Sequence, residues 1–269
     1  MRYVRPKKSL GQHFLKDLNI AERIASTIDG YTLPIIEVGP GTGVLTQFLL
    51  KKDRELKVVE LDIESVKYLN EHFPELAGRI IAEDFLHIDL HTIFPGQFCL
   101  TGNYPYNISS QIFFKMLDYK NSIPCCTGMV QKEVAERICG KPGKKTFGIL
   151  SVLIQAWYTT EYLFTVEPEV FNPPPKVRSA VIRMTRNDVT ELGCNEVLFK
   201  RVVKTGFNQR RKTLRNSLKP LLGIGCEIYP DPIFDKRPEQ LSVEQFIALT
   251  NMVEKYVIVQ QDVKKVERG

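Results

Sequence analysis

Histidine and tryptophan are scarce in this chain, at four and one of 269 residues. No HExxH, no CxxC pair and no Cys/His cluster occurs, which removes the common zinc enzymes and zinc-ribbon binders. The six cysteines (Cys99, Cys125, Cys126, Cys139, Cys194, Cys226) lack the density of a secreted disulfide scaffold. Reduced, mostly buried thiols and no metal are expected. No apolar run reaches membrane-spanning length, and MRYVRPKKSLGQHF has no apolar segment behind its charges. A soluble, cytoplasmic protein without a membrane partner is the expectation.

Acidic residues are missing from two stretches. The first sixteen residues carry Arg2, Arg5, Lys7, Lys8 and Lys16 and no acid, and residues 199–220 carry eight Lys or Arg and again none. The whole chain has a net charge of +6, so everything outside the second stretch is slightly acidic. Basicity concentrated in this way is the footprint of a phosphate-backbone partner, with a solvated helix face as the plainer alternative.

What is present is an alternation. Asp17 caps a helical pattern running through Leu18, Ala21, Ile24, Ala25 and Ile28. Four short apolar runs follow: IIEV, KVVELD, RIIAEDF and QFCLTGN. Each reads as a strand and is followed by a helical pattern, the first helix opening near Thr42. CCTGMVQ adds another strand, and KEVAERI and GILSVLIQAWY read as helices. Such alternation predicts an α/β fold with a parallel, doubly wound sheet. YLFTVEPEVF and SAVIRMT, joined by FNPPPKVR, suit an antiparallel hairpin at its edge, because three consecutive prolines forbid ladder pairing between them. Beyond Asn187 strand patterns cease. The expected organisation is a domain over residues 1–187 and a small all-α, basic domain over 188–269.

The chemistry concentrates where strands end. Glu37-Val38-Gly39-Pro40-Gly41-Thr42-Gly43 occupies the first strand–helix junction, and its third glycine comes one residue too early for a dinucleotide fingerprint. An acid beside that turn repels phosphate and suits a cationic ligand. Glu60 ends the second strand, placed to accept both hydroxyls of a ribose, and Asp84 ends the third, placed to accept from an adenine amino group. Asn103 opens NYPYN after the fourth. Ligands of open parallel sheets bind at the carboxyl ends of strands, so Glu37, Glu60, Asp84 and Asn103 are expected along one rim. The ligand matching this set is S-adenosylmethionine. NYPYN alone would also pass for an ordinary polar turn.

KKSLGQHFL, EVGPGTGVLT, VVELD, AEDF, GNYPYNISS, FNPPPKVRSAV and FNQRRKTLRNSL occur in that order across residues 7–218. Together they resemble the Rossmann-like adenine-N6 methyltransferases, and within them the ribosomal-RNA adenine dimethyltransferases acting near the 3′ end of small-subunit (16S) RNA. The resemblance implies transfer of methyl groups from S-adenosylmethionine to N6 of two adjacent adenosines, on the 30S subunit or its precursor, by a monomer. It implies acceptor roles for the Asn103 side chain and the Pro105 carbonyl, stacking of the base on Tyr106, and Phe171 against its other face. Gln12, His13 and Leu15 would fold over the cofactor, with Gly39 beside its methionine part, Glu60 at the ribose and Asp84 at the adenine; Asn103 would border it. Arg210, Arg211, Lys212 and Arg215 would hold RNA, helical spacing placing Arg211 and Arg215 on one face while Phe207, Leu214 and Leu218 face a core. Tyr104 departs from the Leu common at its position, which leaves the pocket shape open. Rival readings are a large-subunit RNA methylase of the antibiotic-resistance type, an adenine-N6 DNA methyltransferase, a noncatalytic binding factor on the same fold, and a dehydrogenase.

Overall fold

The computed structural model describes residues 4–266; Arg2 of the basic N-terminal group lies outside them. Among the described residues nine strands form: β1 Phe14–Leu15, β2 Ile35–Val38, β3 Leu56–Val59, β4 Ile80–Ile81, β5 Cys99–Thr101, β6 Cys125–Gln131, β7 Tyr158–Val166, β8 Phe171–Asn172 and β9 Ser179–Arg186. Seven of them make one sheet in the order β4-β3-β2-β5-β6-β9-β7. The junctions among β4, β3, β2, β5 and β6 are parallel, and β9 runs antiparallel to both β6 and β7. The chain order reverses between β2 and β5, so a crevice opens there at the carboxyl ends of the strands. β1 and β8 form a separate antiparallel pair, Phe14 facing Asn172 and Leu15 facing Phe171.

Local chemistry accounts for the elements. All four residues of β2 are buried, as a parallel strand covered on both faces requires. Asp17 accepts from the amides of Asn19 and Ile20 and starts α1 (Leu18–Ser26), a cap contributing about 1 kcal/mol. After β2 the helix opens at α2 (Thr46–Leu49) and not near Thr42. Gly39, Gly41 and Gly43 have φ of +67°, +57° and +78°, and a helix cannot begin until that left-handed run is over. The third strand is also shorter than RIIAEDF suggests, ending at Ile81 and leaving Asp84 in the loop beyond. α3 (Ile63–His72) and α4 (Ser109–Asp118) follow β3 and β5.

Two compact units result. One takes the chain through Glu136 together with Tyr158–Arg186, and so contains every strand. The other takes Arg137–Trp157 together with the chain from Asn187 onward. The single boundary expected at 187 is thus accompanied by an excursion at 137–157. Its helix α6 (numbered after α5, Lys132–Ile138, and spanning Ile149–Gln155) buries Leu150 through Ile154, and its two polar side chains, Ser151 and Gln155, donate to the carbonyls of Arg137, Ile138 and Gly140. In the helical unit, Asn195 caps α7 (Glu196–Asn208), which buries Val202, Val203 and Phe207. The Phe207 ring stacks on Phe246 at 5.8 Å. α7 stops at Asn208; residues 209–213 form a turn before α8 (Leu214–Ser217), so FNQRRKTLRNSL is not one helix. Leu214 and Leu218 are buried.

Candidate active site

A cleft of about 900 Å³ opens at the carboxyl ends of the parallel strands. Its walls come from the β2 turn (Val38, Gly39, Gly41), the end of β3 (Val59–Leu61), residues 83–86, residues 103–108, and an N-terminal strap at residues 10–14. Glu60, Glu83 and Asp84 line it, and among the described residues no lysine or arginine does. A pyrophosphate would be repelled by such a lining, which removes the dehydrogenase reading; a ligand with a positive centre is favoured.

Glu60 is 6% exposed and held at both oxygens. Oε2 accepts from the Gly41 amide at 3.0 Å and Oε1 from the Asp62 amide at 2.8 Å. Burial raises its pKa, and these amides oppose the shift. Each oxygen keeps a further acceptor site, so the carboxylate can still take two hydroxyl donors. Gly41 admits no side chain: besides its left-handed φ, a Cβ there would lie 2.9 Å from the Phe14 ring. Asp84 borders the cleft from its loop, accepting from the Leu86 amide at 2.8 Å and pairing with His87 Nδ1 at 3.0 Å. Gly39 follows β2, the strand between those that lead to Glu60 and Asn103, and packs 3.6 Å, by its missing Cβ, from the Pro105 ring.

Glu37 departs from the expected row. It is 1% exposed, lies beneath the glycine turn and does not line the cleft. Among the described residues its Oε2 has no hydrogen-bond partner, nor does the buried hydroxyl of Thr101, its neighbour across the β2–β5 pair. Burial, reinforced by the Glu60 charge and opposed by the Thr46 hydroxyl, pushes its pKa up to about 8. The reason is geometric: Glu37 is an interior residue of β2, paired with Val58 and Thr101, whereas Glu60 stands one position past its strand.

The NYPY segment is fixed from several sides. Asn103 Nδ2 donates to the His13 carbonyl at 3.1 Å, which defines the amide's orientation and leaves Oδ1 without a protein donor. The Pro105 carbonyl accepts from the Ile108 amide at 3.2 Å and retains its second lone pair. Tyr104 turns inward: it is buried, its hydroxyl donates to the Thr127 carbonyl at 2.7 Å, and its ring meets Phe113 edge-on at 5.4 Å. Gly128 makes the room, since a Cβ there would lie 2.7 Å from the Tyr104 ring. The substitution at 104 is therefore absorbed in the core and leaves the neighbouring acceptors in place. Tyr106 bonds Ser179 through its hydroxyl and stacks on His13, ring centroids 5.3 Å apart.

The strap itself is pinned. Lys7 Nζ reaches Asp62 Oδ1 at 2.5 Å, and Gln12 Nε2 reaches Asp62 Oδ2 at 3.2 Å. Burial would raise Asp62, but the bonds from Lys7 and Gln12 and the Glu64 amide hold it below the usual carboxylate range. Lys7 thus serves an internal contact and not a phosphate. His13 lines the cleft, its Nδ1 bonded to the Pro173 carbonyl at 2.8 Å.

Two expected site residues are elsewhere. Leu15 (4% exposed) and Phe171 (1%) sit in the hydrophobic core with Ile24, Met129 and Val181, and neither lines the cleft. They are partners in the β1–β8 pair, and successive residues of a strand face opposite ways. Phe14 therefore reaches the cleft and Leu15 the core. The sequence reading passed over Phe14, Asp62 and Ser179. Alternation within the two-residue strand could have exposed Phe14, and the Asp-Ile-Glu-Ser cap pattern marks Asp62. Ser179 carries no local signal.

The helical unit holds the four basic candidates. Arg215 pairs with Asp235 at 2.6 Å, and Arg210 Nη2 reaches the Lys144 carbonyl at 3.4 Å. The basic loop GKPGKKT (Gly140–Thr146) is also tied down where the Gly143 amide donates to the Glu239 carbonyl at 2.7 Å. Among the described residues, no acidic side chain pairs with Arg211 or Lys212.

Adenosine with an attached cation suits these donors and acceptors. The buried Glu60 carboxylate offers two acceptor oxygens to a ribose, Asp84 borders the same cleft, and the left-handed glycine turn beside Glu60 presents backbone, not side chain, to it. The residues present fit S-adenosylmethionine.

Known proteins give the same direction. Residues 4–255 match the family model described as ribosomal RNA adenine dimethylase. The ribosomal RNA small subunit methyltransferase A of Parabacteroides distasonis is 70% identical over 258 residues, covering 96% of this chain and 97% of that protein. Among solved structures, a dimethyladenosine transferase from Plasmodium falciparum shares the fold with a TM-score of 0.76 at 22% identity, covering 91% of this chain and 98% of that one. The 23S rRNA methyltransferase ErmE follows with a TM-score of 0.64 at 26% identity, covering 88% and 99%. On the family match across nearly its whole length, the chain belongs to the ribosomal RNA adenine dimethylases.

Proposed function

We infer that this protein transfers methyl groups from S-adenosylmethionine to N6 of two adjacent adenosines near the 3′ end of 16S ribosomal RNA, giving N6,N6-dimethyladenosine. We assign it the 30S subunit or its precursor as substrate, a monomeric state and a cytoplasmic location where that subunit is assembled. No helix among the described residues is long and apolar enough to cross a membrane. The observation carrying the chemistry is Asn103: its amide nitrogen is engaged by His13, so an acceptor oxygen remains beside the Pro105 carbonyl at a cleft lined with acids and, among the described residues, free of lysine and arginine.

Glu60 and Asp84 would hold the cofactor's ribose and adenine, with Gly39 and the strap bordering the rest; when bound, the cofactor supplies an electrophilic methyl group on a sulfonium. The exocyclic nitrogen of adenine is a weak nucleophile because its lone pair is conjugated with the ring. Acceptors at Asn103 Oδ1 and the Pro105 carbonyl would bond its two N–H groups and favour a pyramidal nitrogen with the lone pair available. Tyr106 would orient the unstacked base. The nitrogen loses one proton per transfer to an acceptor or water, so no strong base is required. Positioning and electrostatic fit account for the rate.

Arg210, Arg211, Lys212 and Arg215 fit a role on the RNA backbone, reinforced by the lysines of the GKPGKKT loop, which is bonded to the same helical unit. Arg215 has its charge shared with Asp235, so Arg211 and Lys212 would contribute most.

The test is methyl transfer from labelled S-adenosylmethionine to undermethylated 30S particles, with 50S particles and duplex DNA in parallel, and resolution of the nucleosides. N6,N6-dimethyladenosine from 30S alone supports the reading. Label on 50S RNA moves the protein to the reaction of the ErmE type, and no transfer despite cofactor binding moves it to a binding factor.

A further inference from the structure

We propose that Ser179 is a positioning residue for the reaction, fixing the tyrosine on which the target base is laid. The inference rests on the adenine-N6 reading above and adds a residue to it. The antiparallel run of β9 makes this possible. Because β9 opposes β6, its first residue lies where the parallel strands end, opposite Gln131 in β6 and Val166 in β7. Ser179 is fully buried, held in a three-strand ladder, and its hydroxyl bonds the Tyr106 hydroxyl.

A tyrosine hydroxyl lies on the axis about which the ring turns. The Ser179 bond therefore fixes where that axis points but leaves rotation about it, which is a broad torsion in tyrosine. His13 removes the rotation: its ring stacks on Tyr106 at an interplanar angle of 27°. His13 is itself anchored through Nδ1 to the Pro173 carbonyl. Both restraints on Tyr106 thus descend from one stretch, residues 173–179. Where the family resemblance assigned FNPPPKVRS a role through the Phe171 ring, the geometry assigns it one through Pro173 and Ser179.

The closing experiment compares single-turnover methylation of 30S particles by the full-length protein, Ser179→Ala, Tyr106→Phe and the double variant, with Ser179→Thr as the conservative replacement. Ser179→Ala should slow transfer about tenfold, the loss of one well-placed hydrogen bond, while cofactor affinity stays at its wild-type value. The double variant should be no slower than the slower single variant, since the two hydroxyls act as a pair. Ser179→Thr should restore the rate. Wild-type transfer by Ser179→Ala overturns the proposal, as does multiplication of the two losses or an equal fall in cofactor affinity. If the wild-type protein transfers no methyl to any RNA, the reaction reading has failed instead. The Tyr106 ring signals in the NMR spectrum of tyrosine-labelled protein then decide the positioning claim: a changed environment in Ser179→Ala that Ser179→Thr reverses supports it, and unchanged signals overturn it.

Discussion

The cleft has two walls built by different rules. The parallel rim is made of strands that all point the same way, so residues just beyond them face the cleft: Glu60 one position past β3, Asn103 two past β5, and Asp84 in the loop after the third strand. The opposite wall is the strap and its small β1–β8 pair, two residues per strand, where a shift of one position exchanges cleft for core. Glu37 shows the same sensitivity on the rim side, one strand position short of the surface and fully enclosed. Position along an element, not residue type, decides which acids and aromatics meet a ligand here.

The comparison is broken most sharply at Asn103. Asn103→Ala removes the acceptor oxygen while leaving Glu60 and Asp84 untouched, so transfer should fall by at least about a thousandfold, the scale of losing a polar group aimed at the reacting atoms. Cofactor affinity, measured by calorimetry, should change little. Parallel loss of affinity and rate would mean that Asn103 holds the cofactor and not the base. Glu60→Ala should invert the pattern, weakening cofactor binding about a hundredfold because two charge-assisted hydrogen bonds are lost. Asp84→Ala should weaken it about tenfold for a single such bond. Equal affinity in Glu60→Ala would end the ribose assignment.

These expectations were available from the chain alone because parallel strands impose order: a short apolar run, then a polar residue, then a helix places that residue at the ligand end without further information. The alternation, the edge hairpin and the glycine turn were legible for the same reason. What was not legible depends on pairing across distance. Nothing local in PPPKVRS tells that Ser179 meets Tyr106, 73 residues away. Nothing in the spacing of RRKTLR reveals that the helix stops at Asn208, since the apolar period continues through the turn to Leu214 and Leu218. The helix at 149–155 has only Ser151 and Gln155 as polar residues, and their partners are backbone carbonyls that its pattern does not name, so its membership in the helical unit follows from packing.

Leu15 and Phe14 test the strap wall directly. Leu15→Ala empties core space beside Phe171 and should cost about 2–5 kcal/mol of folding stability, with cofactor affinity preserved in the folded protein. Phe14→Ala uncovers Gly41 and should act the other way, lowering cofactor affinity several-fold with a smaller drop in thermal midpoint. If Leu15→Ala weakens binding and spares stability, the strand faces have been assigned in the wrong sense.

Glu37 gives the finest distinction, between a buried acid bonded at both oxygens and one with an unpaired oxygen. Its folded pKa of about 8 stands above the ordinary 4.5, so between those values the native state retains a proton that the unfolded chain has lost. Native stability therefore falls as pH rises through that window, by up to about 1.4 kcal/mol per pH unit from this group, and levels off above it. Glu37→Gln keeps the shape and cannot ionise. In the cofactor-free protein the variant should melt above wild type at pH 8.5 and close to it at pH 5. Burial raises the Glu60 pKa as well, so Glu60→Gln shares this sign with pH, but it also replaces one of the two oxygens that accept from the Gly41 and Asp62 amides and should therefore cost stability at both pH values. A thermal difference between Glu37→Gln and wild type that is the same at both pH values would mean that Glu37 is ionised throughout, its unpartnered oxygen supplied by donors the protein itself does not contain.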